Sequence, residues 1–123
     1  MDDKATLRAI LNEAGDIIQS GGWCRRGFHH GDRHCLGGAL TAAVKRLVPN
    51  SVAYPQAIYG KHDTPSNLTL EGNVVYHQAL TAVERRLFRD YNDDGSAYYW
   101  NDKQTDRRKV VRLLRRTARA LPV

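Results

Sequence analysis

Apolar side chains recur along this chain at the three-then-four spacing of a helix face in four separate stretches. From Asp3 to Gln19 the face is Leu7, Ile10, Leu11, Ala14, Ile17 and Ile18, with Asp2 or Asp3 placed to cap its start and Ser20-Gly21-Gly22 to end it. From Leu36 to Val48 it is Leu36, Ala39, Leu40, Ala43, Leu47 and Val48, followed by Pro49-Asn50. From Leu70 to Tyr91 it is Tyr76, Ala79, Leu80, Val83, Leu87 and Tyr91, halted by Asn92-Asp93-Asp94-Gly95. The last stretch, Thr105 to Leu121, presents Val110, Val111, Leu114, Ala118 and Leu121, with Thr105 or Asp102 available as its cap.

Two segments break this rhythm. Gly22 to His34 is rich in glycine and histidine, has no helical period, and holds the turn-like His30-Gly31-Asp32. Ser51 to Asn67 carries two prolines and a glycine, which predicts a long ordered loop with one helical turn near Pro55 to Tyr59; loops of that length are often functional. Within 36–48, Gly38 with Ala42 and Ala39 with Ala43 form i,i+4 pairs that let another backbone come close. The pattern predicts a mainly α fold: about four helices packed around a central helix (36–48), with an irregular or β-hairpin segment at 22–34, in a single domain over 1–123.

Composition narrows the class. A chain of 123 residues, 41% hydrophobic, is long enough for one core and too short for two domains of ordinary size. Nothing near the start combines a basic region with an apolar stretch, and no apolar run approaches the roughly 18 residues that cross a bilayer. The expectation is a soluble cytoplasmic protein without a membrane partner. In a reducing compartment its two cysteines are free thiols.

The net charge of +6 is local. Residues 104–123 hold Arg107, Arg108, Lys109, Arg112, Arg115, Arg116 and Arg119 against Asp106 alone, so the rest of the chain is balanced. On a helix Arg108, Arg112, Arg115 and Arg119 form one guanidinium stripe opposite the apolar face. Such a stripe can dock an acidic protein surface or track the phosphates of a nucleic acid. It also suits any solvated helix face, because cations are favoured near a helix C-terminus.

Three short motifs stand out: Gly22-Trp23-Cys24, then Cys35-Leu36-Gly37-Gly38-Ala39-Leu40 opening a helix, then Trp100-Asn101-Asp102 ahead of the closing helix. Together they resemble a family of small proteins from actinobacteria and their phages, catalogued as a numbered domain of unknown function. The resemblance implies a compact helical fold and a phage or mobile-element origin, and it implies no activity.

Chemistry has three candidate seats. Cys24, His30 and Cys35 offer sulfur and imidazole, the donors zinc selects, and a hairpin pairing Cys24 with Cys35 puts all three on one face. His29 and His34 then point away, and a fourth ligand has to come from His62 or His77. The competing reading has both cysteines as small buried hydrophobes. Cys35, at a helix start, is alternatively placed for a stabilised thiolate, with His62 or His77 as base and Asn101 or Asp102 as orienting group. Trp100-Asn101-Asp102 reads more simply as a capping element, and Tyr98, Tyr99 and Trp100 as core or contact aromatics. No cofactor is called for. The favoured function is a small non-enzymatic interaction protein using the basic last helix. The alternatives are nucleic-acid binding, a thiol hydrolase or transferase, and a small zinc-binding domain.

Overall fold

The computed structural model describes residues 3–31, 33–53 and 64–121. In chain order the elements are α1 (Asp3–Gly21), β1 (His29–His30), β2 (Arg33–His34), α2 (Leu36–Leu47), a 3₁₀ turn (Pro65–Asn67), α3 (Leu70–Tyr91), α4 (Ala97–Lys103) and α5 (Arg107–Ala120). The mainly α architecture read from the sequence is the one observed. The cap expected at Asp2, the side chain of the alternative Asp3, the helical turn near Pro55 to Tyr59, and His62 fall outside what is described.

Helix α2 is central because it has almost no polar surface. Every residue from Leu36 to Val44 is buried, and α1 and α3 pack along it. Thr41, the one hydroxyl in that run, donates to the Gly37 carbonyl at 3.0 Å, so its burial leaves no polar atom unmatched. Helix α1 contributes Ile10, Leu11, Ala14, Ile17 and Ile18, and α5 contributes Val110, Leu113, Leu114 and Ala118. The helix ends follow local chemistry. Gly22, at φ +101°, closes α1 by donating to Ile18 O at 3.0 Å. Thr69 caps α3 through Gly72 N, and Asn92, at φ +52°, terminates it.

The structure departs from the sequence expectation first at the helix boundaries and then at the hairpin. Residues 97–103 form a helix of their own, started by Ser96, whose hydroxyl accepts from Tyr98 N at 3.1 Å. Seven residues are too few to display a period, so this element is invisible to hydrophobic spacing. The cap of α5 is Asp106, accepting from Arg108 N at 3.0 Å, and neither Thr105 nor Asp102 fills that place.

The second departure is the hairpin register. Strand β1 pairs with β2 as His29 with His34 and His30 with Arg33, and Gly31, at φ +62°, carries the turn. Cys24 is therefore not the hairpin partner of Cys35; Phe28 takes that place, its carbonyl accepting from Cys35 N at 3.1 Å. Instead Cys24 N donates to His34 O and His34 N to Gly22 O, both at 3.2 Å, so Trp23 lies parallel to β2 on its other side. The tight turn at Gly31 uses up the hairpin, and Arg26, at φ +61°, bends the preceding segment out of strand alternation.

The glycines of the Cys-Leu-Gly-Gly motif are explained by what crosses them. A Cβ on Gly38 would stand 1.8 Å from the Phe28 carbonyl oxygen, and one on Gly37 would stand 2.5 Å from the Tyr98 ring. The Phe28 backbone and α2 are thus in direct contact, a closeness only glycine allows. Gly38→Ala is expected to destabilise the domain by about 3 kcal/mol or more, since the obstacle is backbone and cannot rotate away. Gly31→Ala, with open space around its Cβ, carries only the conformational cost of about 1–2 kcal/mol. Urea denaturation of both variants checks the order.

Candidate functional site

The three motifs meet at Asn101. This α4 side chain is 1% exposed, and its Oδ1 accepts from the Trp23 indole Nε1 at 2.7 Å and from Leu36 N at 3.1 Å. Its Nδ2 donates to Cys24 O at 3.2 Å and to Asp102 Oδ1 at 3.4 Å. Both lone-pair directions and both N–H groups of the carboxamide are used. Asp102, a candidate orienting group by sequence, instead accepts from the backbone N–H of Arg26 at 2.8 Å, holding that residue in its left-handed conformation.

Cys35 sits where the sequence places it, at the N-cap of α2, and its Sγ accepts from Gly38 N at 3.3 Å. Burial outweighs the helix end, however, and pushes the thiol from 9.0 up to about 11. Cys24 is raised as well, chiefly by burial, and its Sγ points at the Gly27 and Arg33 carbonyls at 3.6 and 3.7 Å. Near neutral pH both thiols are protonated. His77 is exposed on α3 and meets Tyr76 edge-on, 5.3 Å between ring centroids. Among the described residues no hydrogen bond joins it to Cys35. Of the metal candidates, Cys24 and His30 share a cavity wall while Cys35 is absent from that wall. No group of three His, Cys, Asp or Glu side chains there could hold a metal ion, among the described residues. Beside Cys35, the hydroxyls of Tyr76 and Tyr98 are joined by a short hydrogen bond, and burial raises both phenols.

The four arginines assigned to a single stripe on α5 have different surroundings. Arg115 turns toward α1, donating to Asn12 O at 2.8 Å and reaching Asp16 and Gln19, with its guanidinium lying over Gly15. Arg108 forks onto its own cap, Asp106, at 3.0 Å. Arg112 and Arg119 are exposed on the outward face. Arg116, next to Arg115, turns the other way onto Asp90 of α3 at 3.0 Å. Asp90 also takes Arg86 at 2.8 Å, and the two guanidinium groups, Arg86 foremost, hold its carboxyl below the usual range.

A second feature lies outside the sequence reading. Between α3 and the end of α5 runs an open groove of about 730 Å³, lined by Ala82, Phe88, Ala120 and Leu121, with Arg85 and Arg89 exposed at its edge. Phe88 is 57% exposed, Val74 51% and Leu70 82%. With Thr81 they fall within about 40° of one line down α3, opposite its buried face. The spacing of 70, 74, 81 and 88 was a detectable signal, overshadowed by the stronger core face of the same helix.

A model described as a family of unknown function (DUF6197) matches residues 2–120, and the chain belongs to that family. No curated protein and no solved structure matches it.

Asn101→Ala strands the Trp23 indole N–H, the Leu36 N–H and the Cys24 carbonyl at once, and is expected to cost about 2–4 kcal/mol in urea denaturation. A pH dependence follows from the buried thiol and phenols. The unfolded chain releases these protons first, so the fold binds more protons above pH 9 and loses stability as pH rises. The contribution of Cys35 is whole below 9.0 and gone beyond about 11. Denaturation midpoints measured from pH 8 to 11 are expected to fall, and native Cys35 to alkylate far more slowly at pH 8 than after unfolding.

Proposed function

We propose that this member of the DUF6197 family is a small helical interaction module that takes an acidic, amphipathic segment of a partner protein in the groove between α3 and α5. The observation that carries the reading is the exposed Phe88, a large aromatic in a concave apolar lining with the cations Arg85 and Arg89 on its edge. Aromatic anchors in concave apolar sites contribute most of the energy of small interfaces, and a helix laid in a groove reads out such anchors at i, i+4 and i+7.

Charge selects the partner. Glu84 and Asp94 also line the groove, and Glu84 accepts from Ala97 N at 3.0 Å, against Arg85 and Arg89 at its edge and the exposed Arg112 and Arg119 along the outward face of α5. An acidic segment is steered toward this side, and a basic one is repelled. Two of the seven basic residues in the 104–123 window, Arg115 and Arg116, are drawn inward as helix clamps, so the row of cations that phosphate tracking along α5 needs is interrupted. That favours a protein segment over a nucleic-acid backbone as the occupant.

The test is fluorescence anisotropy with a synthetic helical peptide carrying leucine anchors and glutamates, beside its lysine counterpart and a DNA duplex. The acidic peptide is expected to bind, with affinity reduced about tenfold in Phe88→Ser and in Arg85→Glu/Arg89→Glu, and more weakly reduced in Arg112→Glu/Arg119→Glu. Equal binding of the lysine peptide, or tighter binding of the duplex, rejects the proposal.

A further inference from the structure

We infer that the corner beneath Trp23 is a binding site for a phosphate dianion, free or as the monoester of a small organic group. A cavity of about 450 Å³ opens there, lined by Trp23, Cys24, Arg25, Arg26, His30 and Arg33. Among the described residues of this lining, three of six are arginines, one is a histidine and none is acidic. The volume falls within the range of small-molecule sites, roughly 300–1,000 Å³.

The cations are placed by the fold. Arg25 stacks over the Trp23 ring, 5.8 Å to its centroid, and one of its nitrogens donates to Gln104 O at 3.1 Å. Arg33 lays its stem against Gly22, whose φ of +101° and missing Cβ leave room for it. Arg26 is kept at φ +61° by the hydrogen bond from its N–H to Asp102. An L-residue held in the left-handed region is an outlier that clusters at ligand sites. The one carboxylate in contact with this segment among the described residues, Asp102, is engaged by that N–H and by Asn101.

Chemistry then identifies the ligand class. A guanidinium presents several N–H donors in a plane, and several arginines lining one cavity match an anion with several acceptor oxygens and a charge near two. A phosphate monoester supplies three such oxygens and about −1.5 to −2 charge at neutral pH. A carboxylate supplies two oxygens and one charge. The space beyond one phosphate, with the Trp23 ring in the wall, accommodates the organic group of a monoester. This inference stands apart from the α3–α5 groove and shares no residue with it.

The experiment titrates the full chain with inorganic phosphate, adenosine 5′-monophosphate and adenosine, read by calorimetry and by the NMR signal of the Trp23 indole N–H, whose partner Asn101 adjoins the cavity. Saturable binding of at least one phosphate-bearing probe is expected, with none for adenosine. Arg33→Gln, which keeps the stem over Gly22, and Arg26→Gly, which suits the positive φ, are each expected to weaken it about tenfold, while Arg46→Gln, at the C-terminal end of α2, leaves it unchanged. Circular dichroism confirms that the variants fold. Tighter binding of the nucleotide assigns the site to a monoester, and equal binding assigns it to free phosphate. The inference is overturned by no binding up to about 10 mM, by adenosine binding as well as the nucleotide, or by both variants binding like the native chain.

Discussion

A carboxamide buried away from water has two acceptor positions and two donors to satisfy, and Asn101 satisfies all four with groups from two distant parts of the chain and from its neighbour Asp102. The Trp23 indole, the Cys24 carbonyl and the first amide of α2 lie 65 to 78 residues away along the sequence. Each partner would be stranded without it, which is why one side chain orders so much around it. It sets where α4 sits, it sets the end of α1 relative to the start of α2, and through Asp102 it sets the conformation of Arg26. The two glycines of α2 complete the joint by admitting the Phe28 backbone.

The long helices were legible because their buried faces are wide and regular, and α1, α2 and α3 run almost where hydrophobic spacing puts them. The parts that escaped are governed by single contacts. Seven residues of α4 have no period to detect, and the hairpin register depends on a turn at Gly31 and a kink at Arg26 that strand alternation does not encode. The motifs were visible as motifs, yet their residues looked like chemistry when their first role is assembly. Cys35 shows why: a helix start favours a thiolate, but the same position is buried, and burial is the larger effect.

Arginine serves two purposes in this chain, and a helical wheel cannot tell them apart. Arg115 and Arg116 are adjacent, and their side chains leave α5 in opposite directions, one to α1 and one to Asp90 on α3. Arg8 adds a third tie, donating to Ala118 O at 3.2 Å. The planar, multi-donor guanidinium suits such bridging of carbonyls and carboxylates, where a lysine would offer a single point of charge. Among the arginines left at the surface, Arg85 and Arg89 edge the groove of α3 and α5, and Arg25, Arg26 and Arg33 line the corner beneath Trp23.

The joint at Asn101 also bears on which substitutions this chain can accept. A carboxamide with every hydrogen bond filled, and a glycine whose Cβ would overlap a neighbouring carbonyl, leave almost no tolerated alternatives at Asn101 and Gly38. The side chains of Arg33, Arg85, Phe88 and Arg89 are exposed and make none of the four hydrogen bonds of Asn101, so substitution there alters the surface while the joint stays closed.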